Sequence, residues 1–459
     1  MTTRREFLKT SAAAAAAISA PLPWSASRAV AQDVNSRPTV ASIGVGGSRG
    51  RYSRGGHVGR QAGGMGQMIA VCDVDQRHTT EFNARFKNQL RTYTDYRLLF
   101  EKEKPDLVTI GTPDHWHVPI AITALRAGCD VYCEKPLTLT IDEGIRIRKV
   151  VQETGRVFQV GTQQRSENAL RFLKAIAIVK SGRLGKNVNA HVAIGGAPAG
   201  GPFDSAPAPK DLDWDLWLGP APKVDYSEQR RKMFRWWFEY SGGKMTDWGA
   251  HHIDIAQWAL GFDHTGPTKV SSTGKFPPLI PDNFEWNAFL DGAATLPSGF
   301  NTATQFSIDL TFATGSKIQV TNHYRSEDGK TDFGNGILFA GDRGRIFVNR
   351  GKLVGKPIDE MTKAENDEVN QAVTELYKGK KPGNHMANFF QCVQDRKQPI
   401  SDVETHHRIM TSCHLCNIAL MLGRDLKWDP QQEQFTGDEQ AQALTSRKSR
   451  QPHAVEVAS

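Results

Sequence analysis

Apolar residues recur along this chain with two different spacings, and the change from one to the other divides it. Thr39–Ile43, Met68–Cys72, Asp106–Gly111, Asp130–Cys133 and Val157–Gly161 are short runs, rich in β-branched residues, that suit buried strands. Between them Asp95–Glu101, Val118–Ala127 and Ile141–Glu153 carry helical spacing, and Gly128 ends the second of these. Strands alternating with helices predict a parallel, doubly wound sheet over residues 38–161. From Lys269 to Val348 the period falls to two. Val270–Thr273, Gln305–Thr311, Lys317–Asn322, Ile337–Ala340 and Arg345–Val348 alternate apolar with polar positions, which predicts a mostly antiparallel sheet with one face toward solvent. A helix at Leu170–Ser181 precedes that region, and two more, Met386–Gln394 and Val403–Leu422, follow it.

The pattern therefore predicts an α/β chain of two domains, a Rossmann-type sheet at 38–161 and an α/β domain with an open sheet at 162–430. Residues 195–240, rich in Gly, Pro and Trp, interrupt the second domain. Trp214 and Trp217 there suit a small core under a long loop, although tryptophans are also sugar-stacking surfaces. The polar segment 431–459 is expected to be loose.

Residues 1–31 read as an address. Arg4-Arg5 precedes Phe7-Leu8-Lys9, Ser11–Ala20 is mildly apolar, and Ala29-Val30-Ala31 offers a small-x-small cleavage site. The expectation is export by the twin-arginine machinery to the periplasm or beyond, with no membrane anchor after cleavage. That segment also holds three of the eight net positive charges, in Arg4, Arg5, Lys9 and Arg28 against Glu6, so what remains is too dilute to imply a nucleic-acid partner. Six cysteines lie at strand ends, beside a turn or in apolar stretches and read as buried thiols. Cys413-His414-Leu415-Cys416 lacks the further ligands a metal site needs, so none is expected.

Three stretches carry candidate chemistry. The first strand runs into Gly44-Val45-Gly46-Gly47-Ser48-Arg49-Gly50, a loop whose backbone N–H groups could approach a pyrophosphate. Asp73 ends the second strand where a carboxylate would meet ribose hydroxyls, which favours NAD, while Arg77 one turn on could serve the 2′-phosphate of NADP. Extra glycines at 55, 56, 59, 63, 64 and 66 suggest a long, loose connection. In the second stretch, Glu134-Lys135-Pro136 places Lys135 at a strand's carboxyl end, where open parallel sheets bind ligands. In the third, Asp247, His251 and Asp254 follow Gly242-Gly243 at spacings of four and three, so on one helix they share a face. An aspartate and a histidine so placed could bind and deprotonate a hydroxyl.

Together, Val40–Gly50, the Thr112-Pro113-Asp114-His115-Trp116-His117 turn, Glu134-Lys135-Pro136 and Asp247-x-x-x-His251-x-x-Asp254 resemble the Gfo/Idh/MocA oxidoreductases, over roughly residues 38–430. The resemblance implies catalysis by Lys135, Asp247 and His251, with His251 preferred to His252 as the acid/base. It implies a cofactor held by Gly44, Gly46, Gly47, Ser48, Arg49, Asp73, Thr112, Pro113, His117, Glu134 and Lys135, and a homodimer or tetramer formed through the open sheet. The expected activity is hydride transfer between a tightly bound nicotinamide and a sugar, glycoside or polyol. An NAD-dependent glycosidase that oxidises, eliminates, hydrates and reduces is the alternative, and a non-catalytic sugar-binding protein a further one.

Overall fold

In the computed structural model, residues 37–47 and 53–454 are described. The twin-arginine segment, Ser48 and Arg49 lie outside the described residues. The first sheet carries the five strands that the apolar runs predict and a sixth, Arg91–Tyr93 at one edge, that they do not. Strands β1 (Thr39–Ile43), β2 (Gln67–Cys72), β3 (Arg91–Tyr93), β4 (Leu107–Ile110), β5 (Asp130–Cys133) and β6 (Phe158–Val160) form a six-stranded sheet in the order β3-β2-β1-β4-β5-β6. All its pairings are parallel. The order reverses between β1 and β4, and such a switch point opens a crevice at the strands' carboxyl ends.

The glycines after the loop do not make a loose connection. Residues Arg54–Met65 are a regular helix, α1, and its glycines let it lie close to the sheet. A Cβ on Gly55 would sit 1.8 Å from the Gly44 carbonyl oxygen, and one on Gly59 would sit 2.6 Å from Ser42 Oγ. Helix propensity is outweighed here by close packing that a side chain would block. Helix α2 (Gln76–Ala84) follows β2, α3 (Tyr96–Lys102) follows β3, α4 (His117–Arg126) follows β4 and α5 (Ile141–Thr154) follows β5.

The second sheet has nine strands in the order β15-β14-β13-β7-β10-β9-β8-β16-β17, with β15 at Leu353–Val354, while β11 (Tyr324–Arg325) and β12 (Asp332–Phe333) pair separately. Five were legible: β8 (Lys269–Lys275), β9 (Gln305–Thr311), β10 (Lys317–Thr321), β13 (Gly336–Gly341) and β14 (Gly344–Val348). Central β7 (Asn189–Ala193) was not, and it makes the sheet's parallel pair with β10; the other pairs are antiparallel. In β9 the alternation resolves as Phe306, Ile308 and Leu310 buried, between more exposed Gln305, Ser307 and Asp309.

Helix α9 (Val403–Leu422, numbered after α6 Arg171–Lys180, α7 Gly243–Asp247 and α8 Gly249–Ala259) joins the two halves. It is buried almost all round because it packs on α5 of the first sheet's layer and on β8 of the second. Its His407 meets Gly144 so closely that a Cβ there would lie 2.0 Å from His407 Nδ1.

The described part of the C-terminal segment, residues 432–454, is not loose. Strand β17 (Gln434–Phe435) pairs with β16 (Leu426–Asp429), and Arg450 donates to the carbonyls of Gly219 and Ala221. The His453 ring lies 5.9 Å from that of Trp116, edge to face. Polar composition suggested a solvated tail, but these side chains have carbonyl, carboxylate and aromatic partners. Trp214 and Trp217 stack at 4.6 Å and join Tyr226, Trp237, Tyr240 and Phe300 in a separate small core, which is the first of the two roles open to them.

Candidate active site

The crevice at the sheet's switch point is a cavity of about 390 Å³, and Gly44, Gly46, Gly47, Lys135, Asp247 and His251 all line it. At its outer side, three pieces of backbone nest. Gly44 has φ +74°, and a Cβ there would come 2.6 Å from the Thr112 amide nitrogen. Helix α1 begins beside it, with Ser53 Oγ accepting from Gly56 N at 2.9 Å. A glycine-lined turn that leads to a helix N-terminus suits a pyrophosphate, and here a side chain at Gly44 or Gly55 would collide with the backbone of Thr112 or Gly44 and push the turn apart. Thr112 Oγ1 is buried without a partner at the same place. The residues present therefore fit a dinucleotide.

Asp73 sits where expected but is differently engaged. Its Oδ2 accepts from the amides of Val45 and Gly46, both at 2.9 Å, and its Oδ1 accepts from Asp75 N at 3.0 Å and lies 3.2 Å from His78 Nδ1. It organises the glycine loop with the oxygens that were assigned to ribose. Arg77 is likewise committed, with Nε and Nη2 on Asp75 at 2.9 and 2.7 Å. The His78 ring lies against Gly46, where a Cβ would meet it at 1.7 Å. Burial alone would lower the pKa of His78, but Asp73 and Asp75 outweigh it and raise the pKa above its ordinary value.

Glu134 lines the cleft and is held by Arg54 Nε at 2.8 Å and Gln163 Nε2 at 2.9 Å. His117 also lines it, yet its two ring nitrogens lie 2.7 Å from Pro136 O and 2.9 Å from Thr112 O. It braces the turn that carries Thr112 and Pro113 against the segment that carries Lys135, rather than offering a polar atom to a ligand.

Lys135 leaves the end of β5 and donates to Asp247 Oδ1 at 2.7 Å and to the Asp247 carbonyl at 3.0 Å. Burial opposes ionisation of Asp247, but the Lys135 and Arg235 charges and the lysine's hydrogen bond hold its carboxyl well below the usual carboxylate range. The aspartate thus holds the lysine, where the sequence suggested a substrate hydroxyl. His251 is 4% exposed and its Nδ1 has no partner. Burial, reinforced by Lys135 and Arg350, holds its pKa well below 6.5, so the ring is neutral near pH 7 and can accept a proton. His252 turns away, with Nε2 3.1 Å from Asn335 Oδ1, which leaves His251 as the ring in the cleft.

Asp254 is not part of this group. The predicted single helix is two, broken at Trp248 between α7 and α8. Asp247 therefore ends one helix while Asp254 lies fully buried in the next, paired with Arg165 Nη2 at 2.5 Å and Nε at 2.9 Å. Sequence reasoning also missed Arg231, Arg235 and Arg350, which line the cleft. Arg235 lies 3.7 Å from Asp247 Oδ1, and the Arg350 guanidinium stacks 4.7 Å above Trp248. Nothing local marks them, since two lie in the Trp-rich insert and the third follows a strand of the distant sheet. Among the described residues no cluster suited to a metal ion is present, no helix is long and apolar enough to cross a membrane, and all six cysteines are free and buried.

Comparison with known proteins places this geometry. Residues 39–162 match the NAD-binding Rossmann fold of the GFO_IDH_MocA oxidoreductase family, and residues 201–277 and 307–455 match the C-terminal alpha/beta domain of the same family. The chain belongs to the Gfo/Idh/MocA oxidoreductase family. An inositol 2-dehydrogenase of Salmonella typhimurium is 29% identical over 126 residues, 27% of this chain and 37% of that protein. A glycosyl hydrolase family 109 protein of Shewanella pealeana is 32% identical over 171 residues, 33% of this chain and 37% of that protein. The chain thus spans well under half the length of these curated relatives. The WlbA dehydrogenase of Bordetella pertussis, crystallised with NADH and UDP-GlcNAcA, shares the fold with a TM-score of 0.57 at 16% identity, covering 86% of this chain and 99% of that one. NAD is thus the cofactor that the N-terminal domain of this family member is built to bind.

Proposed function

We propose that this chain is an exported oxidoreductase that moves a hydride between a tightly held nicotinamide and the hydroxyl-bearing carbon of a sugar, glycoside or polyol. The observation that carries the reading is that Lys135, Asp247 and His251 converge on the cleft that also contains the glycine loop. The nicotinamide supplies the hydride acceptor. Asp247 fixes the Lys135 ammonium, which donates to the substrate oxygen and stabilises its developing negative charge. His251, neutral and lining the cleft, takes the hydroxyl proton. Among the relatives, inositol 2-dehydrogenase favours a polyol or sugar substrate. Arg4-Arg5 supports twin-arginine export to the periplasm or outside the cell, and the open nine-stranded sheet offers a face for a dimer or tetramer.

Export bears on the cofactor. Outside the cytoplasm no NADH pool is maintained, so the nucleotide stays bound and is reoxidised by a second substrate or by return of the hydride to the same molecule. The match to a glycosyl hydrolase family 109 protein favours the second route as the alternative reading, net hydrolysis of a glycoside. One experiment tests both. Protein isolated from the periplasm is dialysed, denatured and assayed for released nucleotide, and the native protein is given a glycoside and polyol panel without added NAD. Near-stoichiometric NAD with keto products supports the oxidoreductase, whereas free aglycone without net oxidation supports the glycosidase. Nucleotide-free protein that needs millimolar NAD defeats the closed cycle.

A further inference from the structure

The Trp-rich insert is anchored to the loop that follows β2. Gln76 N donates to Asp211 O at 2.9 Å, Asp213 N donates to Val74 O at 3.0 Å, and Asp75 and Leu212 form an antiparallel bridge between them. From the helix Glu228–Met233 of the same insert, Arg231 reaches Asp75 and lies 3.3 Å from His78 Nε2. Asp75 is 1% exposed and takes both Arg231 and Arg77. Leu212, Arg231, Asp75 and His78 line the same cavity as the glycine loop.

This cluster stands at the carboxyl end of β2, where the adenosine ribose of a dinucleotide lies in such folds. Asp73, the residue usually expected to select the nucleotide there, already accepts from two loop amides and the Asp75 amide. We infer that Arg231 and Asp75 are cofactor-site residues: the insert supplies the outer wall of the adenosine pocket, and Asp75 sets the preference for NAD by occupying the two guanidiniums that would otherwise receive a 2′-phosphate. The inference rests on the NAD-binding assignment of the first domain and is independent of the sugar chemistry. The physical basis is charge. With Asp75 in place, Arg77 and Arg231 share one buried carboxylate, and an incoming phosphate meets that carboxylate as well as the arginines. Without its charge, two planar donors remain that suit a phosphate.

The test uses the full-length protein freed of nucleotide and titrated with NADH and NADPH by the fluorescence of the reduced nicotinamide. Asp75→Asn keeps a side chain able to cap helix α2 and an oxygen for the guanidiniums, and its folding is checked by circular dichroism before titration. It is expected to tighten NADPH relative to NADH by at least about tenfold, the scale of removing one negative charge beside the 2′-phosphate while two guanidiniums remain. Arg231→Ala is expected to speed NADH dissociation by about tenfold or more, with partial rescue by Arg231→Lys. A folded Asp75→Asn protein whose NADPH:NADH ratio stays within about threefold of the parent overturns the selectivity claim, and an Arg231→Ala protein that releases NADH at the parental rate overturns the wall. A parent that binds NADH but turns over no sugar would defeat the proposed function and leave this inference standing.

Discussion

Asp247 and Asp254 lie on consecutive helices in one motif, and the structure assigns them opposite duties. Replacing Asp254 by Asn tests this. Asp254 is fully buried and opposes Arg165, whose side chain is 3% exposed and stacks 4.6 Å over Trp258. Neutralising the aspartate leaves a buried guanidinium with only the Ile400 carbonyl at 3.0 Å, the Thr405 hydroxyl at 3.4 Å and one amide oxygen as acceptors. Breaking a buried pair on one side costs about 3–5 kcal/mol, and Asn, which keeps one acceptor, belongs at the lower end. At roughly 2 °C per kcal/mol for a domain of more than 200 residues, the unfolding midpoint should drop by about 6 °C. Turnover of the folded protein, assayed well below that midpoint, should stay within about threefold of the parent, because Asp254 touches nothing in the cleft. Asp247→Asn should do the reverse, releasing Lys135 and cutting turnover by about 10²-fold or more with a smaller change in midpoint. The assay is a calorimetric or fluorescence melt paired with initial rates on the best sugar of the panel. An Asp254→Asn protein that melts with the parent yet loses its activity would refute the assignment.

Lys135→Ala and His251→Ala should each lower turnover by at least about 10²-fold while circular dichroism and NADH binding persist; near-parental rates would dismiss the site. Gly55→Val forces a Cβ to within 1.8 Å of the Gly44 carbonyl oxygen, a backbone atom that cannot swing aside, and should weaken NADH by about tenfold or more in a fluorescence titration, whereas unchanged affinity would mean that the loop does not hold the nucleotide. Asp73→Asn should weaken NADH and NADPH together, since it loosens the loop that both would share; a selective loss of NADH would return Asp73 to the ribose role. Burial lowers the pKa of His115, His252 and His385 to about 4 and of His414 to about 3. The unfolded chain takes up these protons near pH 6.5 and the folded chain only near 3–4, so stability is full above about pH 6.5 and is lost as pH falls through that window. Melts from pH 7 to pH 4 should show a steep decline, and a flat profile would contradict the burial of these rings.

Much of this was legible in short-range pattern. Five of the six parallel strands follow from apolar runs of strand length, because a strand covered on both faces must be apolar throughout, and Lys135 falls at a strand's carboxyl end by the same reading; the edge strand β3, Arg91-Thr92-Tyr93, is polar and largely exposed and shows no such run. Five strands of the second sheet show in their alternation, whereas β7 escaped notice because Asn189 and His191 interrupt its apolar positions and its neighbours are distant in sequence. Glycine content misled at α1, since composition reports backbone freedom and not the sheet surface against which those glycines fit. Spacing alone placed Asp254 with Asp247 because it assumes one uninterrupted helix, and the break at Trp248 depends on packing. Charge partners were the least legible of all. Asp247 with Lys135, Asp254 with Arg165, Asp75 with Arg231 and the tail's Arg450 with Asp215 are joined across 89 to 235 positions. The chain's local sequence determined which residues could act as acid, base or hydrogen-bond donor and on which element each rides. Only the tertiary structure decided which carboxylate each cation meets, because an ion pair in a partly buried site depends on distances of a few ångströms that long-range packing alone creates.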